Sequence, residues 1–359
     1  MVLYYLYNLK EHFVLFNLLR YITFRSAYAA LTSLLITFLF GKWFIAYMRR
    51  KNFGERISKY LNDTHGEKEG TPSMGGVIML VSLVVSTLLW AIPSNRFIKY
   101  LLFMAIYMGL LGTIDDLIKM RRGDGIRPIT KLAGQIVPCL IIGILLVIYP
   151  VREGYSTMTS LLFLKNTFLN LGYLYLPFIM IVIIGTTNAV NLTDGLDGLA
   201  IGLSGIIAGA FIVISYFAGH SKIADYLNIL YIDGAGEIAV FLSAFLGSAI
   251  GFLWFNTHPA EIFMGDTGSL MIGGILGLAS VLIKQELVFF IVSGMFVIET
   301  LSVIIQVGSY KMRRKRVFLM APIHHHFQKL GWPETKVVVR FWIIGIMFAL
   351  LGISTLKIR

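Results

Sequence analysis

The chain has 359 residues, of which 57% are hydrophobic and 14% charged, with a formal net charge of +12 and a mean hydropathy of +0.78. Such a composition excludes an ordinary soluble domain and points to an integral membrane protein. The single cysteine, Cys139, lies in an apolar stretch, which excludes a disulfide framework and a cysteine-based metal site.

The first 22 residues carry Lys10, Glu11, His12 and Arg20 among aromatic side chains. A signal peptide places its charge ahead of its apolar core, so 1–22 reads as an interfacial segment. Ten apolar stretches follow, near 24–48, 73–93, 97–118, 132–150, 173–190, 198–218, 237–255, 262–283, 287–308 and 337–356. They match in length what a hydrocarbon core of about 30 Å requires of a helix. Residues 151–172, with Arg152, Glu153 and Lys165 among apolar neighbours, read as an external hairpin or a short interfacial helix. No internal repeat and no separate soluble domain stand out. The expectation is one polytopic all-α membrane domain spanning 1–359, with about ten transmembrane helices.

An even number of spans puts both termini on one side and divides the connections into two sets. Eighteen lysines and arginines fall in the connections at 49–68, 119–131 and 311–336, against eleven on the opposite side. The excess of basic residues marks the cytoplasmic side, so both termini are expected to be external. Because the basic residues flank apolar stretches, topology and anionic headgroups account for most of the surplus, and the remaining share can attract an anionic substrate to the cytoplasmic face. No nucleic-acid partner is expected.

Five polar clusters fall on the side assigned as cytoplasmic. The first is HGEKEGTPSMGG, residues 65–76, where Lys68 offers a mobile cation for phosphate and Thr71 and Ser73 offer hydroxyls. Glycines there allow close backbone approach, although Pro72 also suits a helix start. The second is Asp115-Asp116 near the end of the third span. Neighbours on a helix point about 100° apart, so the two should differ in task, and Lys119 can pair with Asp115 at i,i+4. Lys131 follows across the connection.

The third cluster, NAVNLTDGLDGLA at 188–200, brings Asn191, Asp194 and Asp197 between two long apolar stretches. Carboxylates beside a bilayer are costly unless paired, about 2.5–3.5 kcal/mol at a helix centre, so they are rarely idle. The fourth runs from Trp254 to Ser269 and contains Asn256, Phe263, Gly265 and Asp266, the last also a good helix cap. The fifth is the run His324, His325, His326, whose imidazoles can donate to phosphate or act as acid–base groups. Adjacent histidines project differently and have no cysteine beside them, which argues against zinc. Glu299 and Gln306 share a face of the ninth span, and an ionisable group there defaults to a functional or packed-interior role. Mg²⁺-seeking carboxylates, phosphate-seeking cations and an aromatic platform together imply phosphoryl transfer at the cytoplasmic membrane surface, with a lipid-borne reactant.

NLTDGLDGL, the Asp115-Asp116 pair, FMGDTGS and the ten-span layout resemble the polyprenyl-phosphate N-acetylhexosamine-1-phosphate transferase superfamily. Within it, GTPSMGG and APIHHHFQKLGWPE resemble the phospho-N-acetylmuramoyl-pentapeptide transferases most. Ser73 stands where that family often has Thr, and the hydroxyl is kept. The resemblance implies transfer from UDP-N-acetylmuramoyl-pentapeptide to undecaprenyl phosphate, giving lipid I and UMP in peptidoglycan synthesis at the bacterial inner membrane. It also implies Mg²⁺ as cofactor, a homodimer and sensitivity to uridine-based nucleoside inhibitors. By the same resemblance Asp266 is the metal ligand and Asp115, supported by Asp116, orients or deprotonates the lipid phosphate for direct attack, with a two-step route through a covalent aspartyl intermediate as the competing mechanism. Phe263 would stack on uracil, with Lys68, Asn191, Asp194, Asp197 and Asn256 around the nucleoside and diphosphate. The three histidines would hold the sugar-phosphate or peptide. A related hexosamine-phosphate transferase is the near alternative. A secondary transporter would put its polar site near the midplane, between repeats. An aspartyl protease would leave the histidines and the DGLDG turn unexplained.

Overall fold

The structure, a computed structural model, describes residues 14–51, 70–164 and 167–358. Lys68 lies outside the described residues, as does most of the 1–22 segment, of which Val14–Arg20 forms a 3₁₀ turn. The first four long helices are α1 (Ile22–Arg50), α2 (Gly76–Trp90), α3 (Arg96–Arg122) and α4 (Pro128–Ile148). After them come α5 (Tyr175–Thr193), α6 (Leu199–Ala218), the short α7 (Ser221–Tyr226), α8 (Gly236–Asn256) and α9 (Gly265–Leu282). The chain ends in α10 (Glu286–Val292), α11 (Gly294–Arg313), α12 (Ile323–Lys329) and α13 (Glu334–Ile358).

Local chemistry sets several of these boundaries. The Asn95 side chain caps α3 by accepting from the Phe97 and Ile98 backbone N–H groups, at 2.8 and 3.4 Å. Lys119, Arg121 and Arg122 fill the last turn of α3, where the helix dipole favours cations. Gly123 then ends the helix in the left-handed region, at φ 86°. Pro128 stands in the first turn of α4, where no N–H is needed.

Among the described residues, nine helices are long and apolar enough to cross a membrane. The all-α, multi-pass reading therefore holds. The helix α2 has 15 residues and spans only about 22 Å, because the chain enters it extended. Gly75 and Gly76 N–H groups donate to the Phe263 and Met264 carbonyls, at 2.8 and 2.9 Å, and Phe263 N–H donates to the Pro72 carbonyl at 2.8 Å.

The ninth expected span, 287–308, is not one helix. It breaks at Ser293 into α10 and α11. Ser293 Oγ bonds the Phe289 carbonyl at 2.7 Å, and a Cβ at Gly294 would lie 2.7 Å from the Phe348 ring of α13. A Ser–Gly pair is a common place for such a break. Beyond it, α11 buries only a stripe made of Gly294, Met295, Phe296, Glu299 and Ser302.

The helix α9 is buried along its whole length, packed chiefly on α3 and α5, while α8 packs on α1 and α6. Small residues permit the close approach: a Cβ at Gly273 would lie 2.3 Å from the Thr187 Cα. At the end of the bundle where α1 begins, Arg25 and Glu237 form a buried bidentate pair, and Glu237 also accepts from Ile92 N–H at 2.8 Å. The ambiguous 151–172 segment lies at that same end. It contains a small antiparallel hairpin, Met158–Ser160 against Phe168–Asn170. Beneath the hairpin, Thr159 and Tyr175 donate to Glu286, and Lys284 donates to Tyr175. Burial pulls the Lys284 amine down to about 8, against the opposing pull of Glu286.

Candidate active site at one end of the bundle

The C-terminal ends of α3 and α5 meet the N-terminal ends of α4 and α9, and four helices deliver polar side chains to one point. Asp116 on α3 is buried, and both its oxygens face the first turn of α9. Oδ1 accepts from the Asp266 N–H at 2.9 Å, and Oδ2 accepts from the Thr267 N–H at 2.9 Å and its hydroxyl at 2.7 Å. Gly265 makes this approach possible. Its φ is +72°, and a Cβ there would stand 2.6 Å from Asp116 Oδ2.

Asp115, one residue earlier, points elsewhere, as the helical period requires. Its Oδ1 accepts from the Ile126 N–H, while Oδ2 lies 3.2 Å from Lys131 Nζ and 3.6 Å from Lys119 Nζ. Asp266 receives the same two amines on its Oδ2, Lys119 at 2.8 Å and Lys131 still closer. Asn191 donates to Asp266 Oδ1 at 2.7 Å and to Ser269 Oγ at 2.9 Å. Two carboxylates and two ammonium groups thus interlock at the polar end of the bundle.

The DGLDG turn between α5 and α6 lies beside this cluster. Asp197 Oδ2 accepts from the Ala260 N–H at 3.1 Å and lies 3.1 Å from His258 Nδ1, while the Asp197 N–H donates to Glu334 at 2.7 Å. Asp197, His258 and Glu334 are the one group of three metal-binding side chains among the described residues whose ligand atoms converge, within 4.8 Å. Their contacts with each other and with backbone N–H groups brace the turn. Asn256 is also committed to bracing, since it accepts from the Gly198 N–H at 3.1 Å and donates to the Ile262 carbonyl at 2.9 Å. Asp194 is half-buried at the start of the turn.

Phe263 is half-buried where its backbone pairs with Pro72 and Gly75, which sets the ring beside the 71–76 segment with half-exposed Thr71 and buried Ser73. The three histidines diverge. His324 and His325 pack beside Gly195, where a Cβ would meet their Nε2 atoms at 2.4 and 3.4 Å. His326 turns away to accept from the Leu319 N–H at 3.1 Å. Gln306 also serves the 315–319 loop, bonding the Phe318 carbonyl and the Val317 and Phe318 N–H groups, each at 3.0 Å.

The structure therefore brings Asp115, Asp116, Lys131, Asn191, Gly265 and Asp266 together, with Asp194, Asp197, Phe263, His324 and His325 in the flanking turn and loops. It gives Asn256, Gln306 and His326 bonds within the protein that lead away from that centre. Sequence reasoning undervalued Lys119, whose i,i+4 spacing from Asp115 was visible, and missed Ser269. It also missed His258 and Glu334, for which no local signal exists because their partners are 61 and 137 positions away.

Comparison with known proteins decides the family. The model for glycosyl transferase family 4 matches residues 98–284, and a phospho-N-acetylmuramoyl-pentapeptide-transferase signature matches residues 68–80. The phospho-N-acetylmuramoyl-pentapeptide-transferase of Endomicrobium trichonymphae is 48% identical over 98% of both chains. Those of Desulforapulum autotrophicum and Geobacter sp. strain M21 are each 49% identical, over 100% and 99% of both chains. The chain belongs to the phospho-N-acetylmuramoyl-pentapeptide-transferase family. The matched stretch 98–284 contains every member of the carboxylate–lysine cluster. The family signature covers the extended segment that pairs with Phe263 and Met264.

Because Asp116 caps α9 from another helix, Asp116→Ala should lower thermal stability and displace Asp266 together. A lost cap of this kind costs about 1–2 kcal/mol, which thermal unfolding of the detergent-solubilised protein would read. An unchanged melting temperature would remove Asp116 from this anchoring role.

Proposed function

We propose that the chain transfers phospho-N-acetylmuramoyl-pentapeptide from its UDP-activated form to undecaprenyl phosphate, giving lipid I and UMP, on the cytoplasmic face of the bacterial inner membrane. The observation that carries this reading is the sharing of Lys119 and Lys131 by Asp115 and Asp266. Anion-binding amines and cation-binding carboxylates from four helices meet at a bundle end, where a soluble nucleotide and a lipid headgroup can both arrive. A transporter site would sit nearer the midplane.

The roles follow from the contacts. Lys119 and Lys131 are placed to pair with phosphate oxygens, and Asn191 holds Asp266 in orientation. Phe263 offers a ring for uracil, Lys68 a further cation, and Asp194 and Asp197 polar groups in the turn beside it. His324 and His325 flank the sugar-phosphate side. A hard cation fits here: oxygens of Asp115 and Asp266 converge on one cationic group, Lys131 Nζ, while the Asn191 amide N–H₂ ties Asp266 to the Ser269 hydroxyl. Magnesium takes one or two such carboxylates alongside substrate phosphates, and Asp266 would hold it, with Asp115 as the other carboxylate of the cluster. When bound, it would neutralise the diphosphate and favour departure of UMP.

The lipid phosphate attacks the phosphorus that carries the sugar, a new P–O bond forms, and the bond to UMP breaks. With a second pKa near 6 the phosphate is largely dianionic already, so Asp115 need only orient it. Direct attack is supported by the state of the carboxylates. Every oxygen of Asp115, Asp116 and Asp266 accepts a hydrogen bond or meets an ammonium group, so a covalent route would first have to strip one of them of its partners. Recognition of uridine-based inhibitors would use the same turn and ring. Homodimerisation would use lipid-facing helix surfaces.

Cysteine labelling on a Cys139→Ala background tests orientation. A cysteine at 325 should react only from the cytoplasmic side, and labelling from outside intact cells would reverse the topology. Purified, lipid-depleted protein given the UDP-substrate and Mg²⁺ should release UMP only when undecaprenyl phosphate is added. Stoichiometric release without it, with phospho-sugar trapped on Asp115 or Asp266, would replace direct attack by the two-step route. Asp266→Asn should lower turnover by about a hundredfold or more, in line with loss of a transition-state electrostatic group, and weaken activation by Mg²⁺. A Mg²⁺ titration like that of the unaltered protein would move the metal away from Asp266.

A further inference from the structure

Glu299 is fully buried on a helix, α11, whose other faces are largely exposed along its length. Its Oε1 lies 3.1 Å from Nδ1 of His324, itself fully buried on α12. Among the described residues, neither Glu299 Oε2 nor His324 Nε2 has a hydrogen-bond partner. Unsatisfied buried polar atoms are uncommon and call for an explanation. His324 Nε2 lies against Gly195, where a Cβ would stand 2.4 Å from it and 3.4 Å from His325 Nε2. The hydrogens that Gly195 presents there are bound to carbon, and such hydrogens donate weakly to a bare lone pair. An N–H at Nε2 would be a buried donor with no acceptor among the described residues, which costs more than a bare lone pair beside C–H.

We propose that Glu299 is a positioning residue of the transfer site. Its carboxylate accepts a hydrogen bond from the Nδ1–H of His324, which leaves Nε2 without a proton beneath Gly195 and sets the height of the turn that carries Asp194 and Asp197. The tautomer of a histidine follows from what its other nitrogen bonds, and here that partner sits on a helix otherwise turned outward. The inference rests on the proposed transfer reaction for its functional consequence, since the turn is the part of the site assigned to the UDP-substrate. Glu299 therefore acts on UDP-substrate affinity rather than on the chemical step.

Two measurements separate this inference from the reaction itself. Histidine ¹⁵N spectra of the full-length protein, with the His324 signals assigned by their loss in His324→Ala, should show a protonated Nδ1 and an unprotonated Nε2. A protonated Nε2 overturns the proposal whether or not the protein turns over. In the transfer assay, Glu299→Gln should raise KM for the UDP-substrate about tenfold, as loss of a buried charge-assisted contact does, with kcat and KM for undecaprenyl phosphate within about twofold. Glu299→Asp should recover part of that loss. In a His324→Ala background Glu299→Gln should add nothing further, because the two act as one unit. Additive effects, or a fall in kcat at unchanged KM, would overturn the positioning role. An unaltered protein that releases no UMP would overturn the transfer reading and this functional consequence, while the ¹⁵N result would still decide the dyad.

Discussion

The carboxylate of Asp116 accepts three hydrogen bonds from the first turn of α9, two from backbone N–H groups and one from the Thr267 hydroxyl. A helix that begins within a packed bundle has unpaired N–H groups that water cannot easily reach, and an anion at that end is favoured by the helix dipole as well. The contact ties α3 to α9 at the level where Asp266 leaves the backbone. It also fixes the rotation of α3, so that Asp115, about 100° around the helix, faces Lys131 rather than lipid. Gly112, one turn before Asp116, makes the close approach possible, since a Cβ there would stand 2.2 Å from the Asp266 carbonyl oxygen. The rest of the cluster is built on this joint.

Much of the architecture was legible because the bilayer imposes length and polarity on each span. The stretches at 97–118, 198–218 and 237–255 were placed within a few residues of α3, α6 and α8. The ninth stretch was not, since hydropathy carries no record of a break where Ser293 bonds the Phe289 carbonyl and Gly294 meets the Phe348 ring. Diverging roles for Asp115 and Asp116 followed from helical geometry alone. That Asp116 would be buried against another helix did not, since a solvated surface aspartate has the same local sequence. The histidine run shows the same limit: adjacent rings were expected to diverge, but which ones would face the DGLDG turn depended on the distant Glu299 and Leu319.

The DGLDG turn is held by residues remote from it in sequence. Glu334 takes the N–H of Asp197, Asn256 takes the N–H of Gly198, and His324 underlies Gly195. Polar groups that sequence alone assigns to substrate are here spent on backbone N–H groups that have no helical partner. This is the cost of an irregular turn packed among helix ends, where backbone N–H groups shielded from water must be satisfied by protein. Asn256 is the clearest case, because both ends of its amide are bonded within the protein.

Charge gives a further reason to expect a metal at the carboxylate cluster. Asp115, Asp116 and Asp266 outnumber Lys119 and Lys131 by one, so the cluster is net negative when all five groups are ionised. A diphosphate and a lipid phosphate add several more negative charges. At about 4 Å and an effective dielectric near 20, each unbalanced like-charge pair costs about 4 kcal/mol. Two lysines cannot serve the aspartates and both phosphates at once. A divalent cation held by these carboxylates would offset that charge and leave the lysines available to the phosphate oxygens. The structure shows those carboxylates paired with the ammonium groups of Lys119 and Lys131, which is the arrangement that such a cation would have to replace.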